Sequence, residues 1–108
     1  MLHIEQFVID TIAEIEPLVR RIAQHDADLG RQMRRAAASI ALNVSEGRFS
    51  RGRNEMARFQ TALGSANETL ACLKVGVAFK YIAPPDPTIL DRFGRIVGTL
   101  HKLSQPRR

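Results

Sequence analysis

Between Met56 and Val77 the apolar residues Met56, Phe59, Leu63, Ala66, Leu70, Leu73 and Val77 recur at alternating steps of three and four. That period matches the helical turn and excludes a strand, whose side chains change face at every residue. A helix with such a seam is stable in water only if the seam is covered by elements of the same kind. The rest of the chain therefore has to supply the cover.

It does so three times. In a first segment, about residues 3–24, Val8, Ile12, Ile15, Val19 and Ile22 step by four, three, four and three, while Glu5, Asp10, Glu14, Glu16, Arg20 and Arg21 lie largely off that stripe. Pro17 removes a backbone bond to Ala13 and crowds its carbonyl. It predicts a kink or a break, the kink favoured because the heptad phase runs through it unchanged. Asp26, Asp28 and Gly30 predict a short turn, with Asp26 or Asp28 as N-cap. A second helix, about 29–46, carries Leu29, Met33, Ala36, Ile40 and Val44 on one face, with Gly47 expected in the left-handed position just past its end. The third helix spans about 52–81 and stops at Ala83-Pro84-Pro85. Asp86-Pro87 reads as N-cap and first helical position of a fourth helix, about 87–104, with Ile89, Phe93, Ile96, Leu100 and Leu103 inward. The basic tail from Gln105 to Arg108 is expected to fray. Short connections between amphipathic helices predict one all-α domain over residues 1–108, an antiparallel up-down-up-down four-helix bundle.

Composition narrows the class of function. At 44% apolar and 25% charged residues over 108 positions, the chain can bury a single core without staples. The one cysteine, Cys72, cannot form an intramolecular disulfide, which points to a reducing cytosol. The start Met1-Leu2-His3-Ile4-Glu5 has no signal-peptide character. Apolar runs fall short of the roughly 18–20 residues of a membrane span, and Lys74 and Lys80 interrupt the best of them. A soluble, cytoplasmic protein with no membrane partner is expected.

Nothing points to catalysis. His3, His25 and His101 stand at no ligand spacing, and neither His-Glu-x-x-His, Cys-x-x-Cys nor a pair of Glu-x-x-His motifs occurs, so no metal and no cofactor is expected. No glycine-rich phosphate loop precedes a helix. Cys72, beside Leu73 and with no histidine near it in sequence, reads as a small buried hydrophobe. No catalytic residue is assigned, and the chain is expected not to be an enzyme.

The charge is the informative feature. The net charge is +5, carried by 13 arginines against 3 lysines. Seven of them, Arg31, Arg34, Arg35, Arg48, Arg51, Arg53 and Arg58, fall between residues 31 and 58. At 100° per residue, Arg31, Arg34 and Arg35 lie opposite the second helix's apolar stripe. Arg48, Arg51 and Arg53 crowd the connector that follows, predicting a dense positive patch at one end of the bundle. Such a patch suits phosphates without implying sequence readout. The candidate nucleic-acid-binding residues are Arg31, Arg34, Arg48, Arg51 and Arg53, with structured RNA favoured over DNA. Phe49 has two readings, a cap over the end of the core, which is favoured, or a ring that stacks on a base. The same charge also fits an acidic protein partner, or simply a solvated surface.

Two rows concern packing. Arg35, Ser39, Asn43 and Glu46 follow steps of four, four and three and predict a structural polar seam against helix three or another subunit. Ala57, Gly64, Ala71 and Ala78 recur every seven residues beside the helix-three seam. Gly64 and Gly76 are expected to admit another helix closely, and Ala57, Gly64 and Ala71 to form an oligomer interface.

At these residues the chain resembles a known family. Arg34-Arg35-Ala36-Ala37-Ala38-Ser39-Ile40-Ala41-Leu42-Asn43-Val44-Ser45-Glu46-Gly47 is similar to its R-R-A-x-x-S-I-x-x-N-x-x-E-G signature. Glu55, Arg58-Phe59 and Gly64-Ser65 resemble the E-x-x-R-F and G-S steps that follow, and Tyr81-Ile82 the end of helix three. The family comprises four-helix-bundle proteins encoded in intervening sequences of bacterial large-subunit ribosomal RNA genes, related to the accessory variability proteins of diversity-generating retroelements. Where that family often has Pro-Ser inside the signature this chain has Ala41-Leu42, and its Pro17-containing first helix is not typical. The resemblance implies a homo-oligomeric ring, commonly a pentamer, with basic surfaces. In the retroelement branch it implies binding to nucleic acid and a reverse transcriptase.

Overall fold

The protein is described from a computed structural model covering residues 3–106; Arg107 and Arg108 of the basic tail lie outside the described residues. Four helices follow in order: α1 (His3–His25), α2 (Ala27–Arg48), α3 (Gly52–Ala78) and α4 (Pro87–Leu103). α2 packs on α1 and α3, and α4 packs on α3 and α1, which closes an antiparallel four-helix bundle. One end carries the α2–α3 connector, and the other carries the α1–α2 and α3–α4 connectors.

Every helix places its heptad residues inside. Val8, Ile15 and Ile22 of α1, Met33, Ile40 and Val44 of α2, Phe59 and Leu73 of α3, and Phe93, Ile96 and Leu100 of α4 are all but inaccessible to solvent. α1 runs unbroken through Pro17. Pro17 and Ala13 both face solvent, so the carbonyl that loses its partner lies on the side open to water rather than in the core.

The junctions hold the corrections. α1 and α2 are separated by Asp26 alone, whose carboxylate accepts from the Leu29 N–H at 3.0 Å. Gly30 is therefore not part of a turn. It is buried within α2, where a Cβ would come 2.5 Å from the Ala23 Cβ, so its smallness sets the α1–α2 crossing. α2 continues through Gly47 to Arg48, beyond the end expected near Glu46. Gly47 is not a left-handed cap: it lies under the Phe59 ring, with a Cβ placed 2.8 Å from Cε1. The left-handed glycine is Gly52, at φ +59, which turns the chain into α3.

α3 ends at Ala78, three residues before the position expected. The Lys80 N–H donates to Val77 O and the Tyr81 N–H to Gly76 O, each at 2.9 Å. This is the paired closure in which glycine is the usual left-handed residue. Here that residue is Lys80, at φ +64. Asp86 caps α4 by accepting from the Thr88 N–H at 2.9 Å, with Pro87 at the first helical position.

α3 carries two rows of small residues, of which one packs inside the bundle. Ala62, Ser65, Ala66, Thr69, Cys72 and Gly76 are buried, whereas Ala57, Gly64, Ala71 and Ala78 are exposed. Gly76 does admit a neighbour, since a Cβ there would sit 2.8 Å from Ile22 Cδ1; nothing among the described residues lies within 4 Å of a Cβ at Gly64.

Candidate nucleic-acid interface

The arginines of α2 and its connector fall into separate groups. Arg31 sits one turn into α2, about 25 Å along the helix from Arg48 at 1.5 Å per residue, so the two cannot share one compact patch. Arg31 pairs with Asp28 at 2.8 Å, and Arg34 lies 4.0 Å from Glu16 of α1. Arg31 and Arg35 line a hollow of about 590 Å³ between α2 and α3, together with Asp28, Gln32, Ser39, Ser65 and Glu68. Cations and carboxylates alternate there, so the hollow has no single sign of field.

The connector end is where positive charge concentrates. Arg48 is clamped by Glu5, 43 positions earlier in the chain. Its guanidinium also lies 5.5 Å from the centroid of the Phe49 ring. Arg51 and Arg53 are exposed and take part in no ion pair among the described residues. Arg51 occupies the N-cap position of α3, where its guanidinium, a donor only, cannot cap the helix N–H groups. Phe49 is 79% exposed and does not cap the core. The buried Phe59 ring against Gly47 closes that end instead.

The polar row of α2 is hydrogen-bonded within the chain. Ser65 of α3 donates to the Ser39 hydroxyl at 2.7 Å, and Asn43 donates to the Ser39 carbonyl and hydroxyl at 2.9 and 3.0 Å. Arg58 donates to Asn43 Oδ1 at 3.3 Å and approaches Glu46 at 3.9 Å. No buried side-chain polar atom lacks a partner among the described residues. Arg35 stands apart from this network, at the hollow.

Other positions carry chemistry that local patterning does not reveal. Arg92 of α4 donates to Thr11 Oγ1 at 2.9 Å, pairs with Glu14 at 2.9 Å and lies over the Phe7 ring at 4.1 Å. No feature near Arg92 in sequence announces those partners. At the far end, the Tyr81 ring lies parallel to those of His25 and Phe79. The aromatic-lysine-aromatic run Phe79-Lys80-Tyr81 was the available signal for that cluster. Cys72 is buried; desolvation, and secondarily the Glu68 charge, push its thiol pKa up, away from the thiolate a nucleophile requires. Among the described residues no cluster of three His, Cys, Asp or Glu side chains is arranged for a metal ion, and no helix is long and apolar enough to cross a membrane.

The fold and this charge distribution define a small basic antiparallel helical-bundle protein whose polar α2–α3 seam is satisfied internally. The chain belongs to the 23S rRNA-intervening sequence protein family, whose model matches residues 2–97. Its fold is similar to the crystal structure of a protein of unknown function from the S23 ribosomal protein family of Bacteroides thetaiotaomicron. The two share 20% identity and a TM-score of 0.84, over 95% of this chain and 99% of that one. None of the curated proteins matches the chain.

Proposed function

We propose that this protein is a non-enzymatic, cytoplasmic nucleic-acid-binding homo-oligomer that engages structured RNA through the arginines at the α2–α3 connector. The observation that carries this reading is the pair Arg51 and Arg53, both exposed and outside any ion pair among the described residues, next to Arg48 at one end of a chain of net charge +5. Arginine forks bind phosphate oxygens bidentately, and phosphate contacts need no base readout. The resemblance to the intervening-sequence family implies, through its retroelement branch, the same class of partner.

Arg51→Glu with Arg53→Glu is the direct test. Arg48 is left in place because reversing it would set two carboxylates face to face at Glu5. Anisotropy of a labelled hairpin RNA across a salt series should show weaker binding and a salt slope smaller by about one per lost phosphate contact, with helicity unchanged. Undiminished binding would remove the connector from the interface.

A second reading has its own observation. Ala57, Gly64 and Ala71 form an exposed small-residue row, and among the described residues nothing lies within 4 Å of a Cβ at Gly64. That supports a scaffold whose α3 meets other copies, or an acidic protein, with no nucleic acid involved. Binding of the hairpin RNA at low salt separates the two readings.

A further inference from the structure

We infer that the end of the bundle opposite the connector arginines carries a second site, a stacking platform for an unpaired base of single-stranded nucleic acid, built from Phe79, Tyr81 and His25 with Lys80 and Arg21 beside it. The inference rests on the nucleic-acid reading and adds to it a place and a strand state. The ring centroids of Tyr81 and His25 lie 5.2 Å apart with planes 4° from parallel, and those of Tyr81 and Phe79 lie 5.4 Å apart at 20°. Tyr81 is fixed by its backbone bond to Gly76 O, and its hydroxyl lies 3.5 Å from Asp26, the N-cap of α2. The rings are thus held in place by the ends of three helices before any ligand arrives.

Phe79 is the part that the fold does not explain. It is 64% exposed, while Phe59 and Phe93 are buried in the core. Lys80, between the two rings in sequence, is the second unexplained feature. It occupies the left-handed position where glycine avoids the strain of a side chain. The lysine brings a positive charge into the segment between the two rings. Lys80, Tyr81 and Arg21 also line a hollow of about 440 Å³ whose remaining walls are Val77, Ile82, Ala83 and Pro84, with no carboxylate. Ring faces give a base its stacking surface, and flanking cations meet the phosphates on either side, the combination that binds single strands with little sequence preference. A base inside a duplex is already stacked on its neighbours and cannot reach such a platform.

The test uses an oligoadenylate with a central 2-aminopurine, and a fully paired duplex of the same length. The wild-type chain should quench the 2-aminopurine on binding. Phe79→Ala, an exposed position, should retain helicity, abolish the quenching and weaken the single strand roughly tenfold, with duplex affinity unchanged. Lys80→Gln should keep the quenching and lower the salt slope by about one. Quenching retained in Phe79→Ala overturns the platform, and so does a fall in mass by light scattering, which would give this face to a second copy. Loss of both probes in the Arg51→Glu, Arg53→Glu protein, with Phe79→Ala still quenching, keeps the connector site and removes the platform. Quenching lost only in Phe79→Ala, with the arginine variant binding as wild type, does the reverse. Neither probe bound at low salt overturns both.

Discussion

A methyl group added at Gly30 would stand 2.5 Å from the Ala23 Cβ and 2.6 Å from its Cα, and backbone cannot swing aside as a side-chain tip can. The same methyl added at Gly64 meets nothing within 4 Å among the described residues. The two substitutions should therefore have opposite signs although both replace a helical glycine. Gly30→Ala forces α1 and α2 apart and is expected to cost about 1–3 kcal/mol, the range for overpacking a close contact. Gly64→Ala removes only the glycine penalty and is expected to stabilise the single chain by about 0.5–1 kcal/mol. Urea unfolding of both variants checks the pair. A loss at Gly64 would mean that another chain covers it. The sequence reads Gly64 as helical and Gly30 as part of a turn, and shows of neither whether it faces a neighbour, because that depends on the crossing of two helices. The same limit hid the Glu5 clamp on Arg48, whose partners lie 43 positions apart. It also hid the Arg92 cradle, formed with Thr11 from 81 positions away. Asp86 was legible as a cap, and Asp26 as one of two candidates with Asp28, because the N–H groups they accept from are within three residues.

At the scale of elements, the ends of α3 and α4 are set by opposite uses of local chemistry. α3 closes through Lys80 at φ +64, a conformation that costs an L-residue roughly 1–2 kcal/mol. Lys80→Gly should raise stability by about 0.5–1 kcal/mol, because glycine returns part of that gain as unfolded-state entropy. The readout is a higher urea midpoint at unchanged slope. α4 begins at an aspartate whose pKa is lowered, first by the backbone N–H of Thr88 and then by the Thr88 hydroxyl. A carboxylate with a folded pKa below its unfolded value contributes stability that is present above the unfolded pKa and disappears as pH falls through the folded one. The difference in stability between wild type and Asp86→Ala should thus be full near neutral pH and shrink below about pH 4, the ordinary carboxylate value. Urea midpoints of both proteins at neutral and acidic pH check it, and a constant difference would contradict the cap's charge. The heptad steps made the four helices legible, since burial follows period. The end of α3 was not, because no rule of patterning places a lysine in a left-handed closure.

At the scale of the whole molecule, the open question is what faces the outer side of α3. Within the chain α3 buries Ala62, Ser65, Thr69 and Gly76 and leaves the seven-residue row of Ala57, Gly64 and Ala71 in solvent. Glycine in the middle of an exposed helix costs stability without return in the single chain, so a return must come from a contact between chains if the row has a use. Gly64→Leu decides the matter, because leucine is a better helix former than glycine and its Cβ meets nothing within 4 Å among the described residues, yet it would block close helix approach. Light scattering should show the wild type as an assembly and Gly64→Leu as a monomer, with helicity equal or higher by circular dichroism. The polar seam bears on the same result. Ser39, Asn43 and Arg58 already satisfy one another and Ser65 between α2 and α3, so a subunit contact need not open that network to find its partners. Assembly that survives Gly64→Leu would move the contact away from this row. The exposed Leu42 of α2, 65% accessible, would then be the next position to replace, with glutamate.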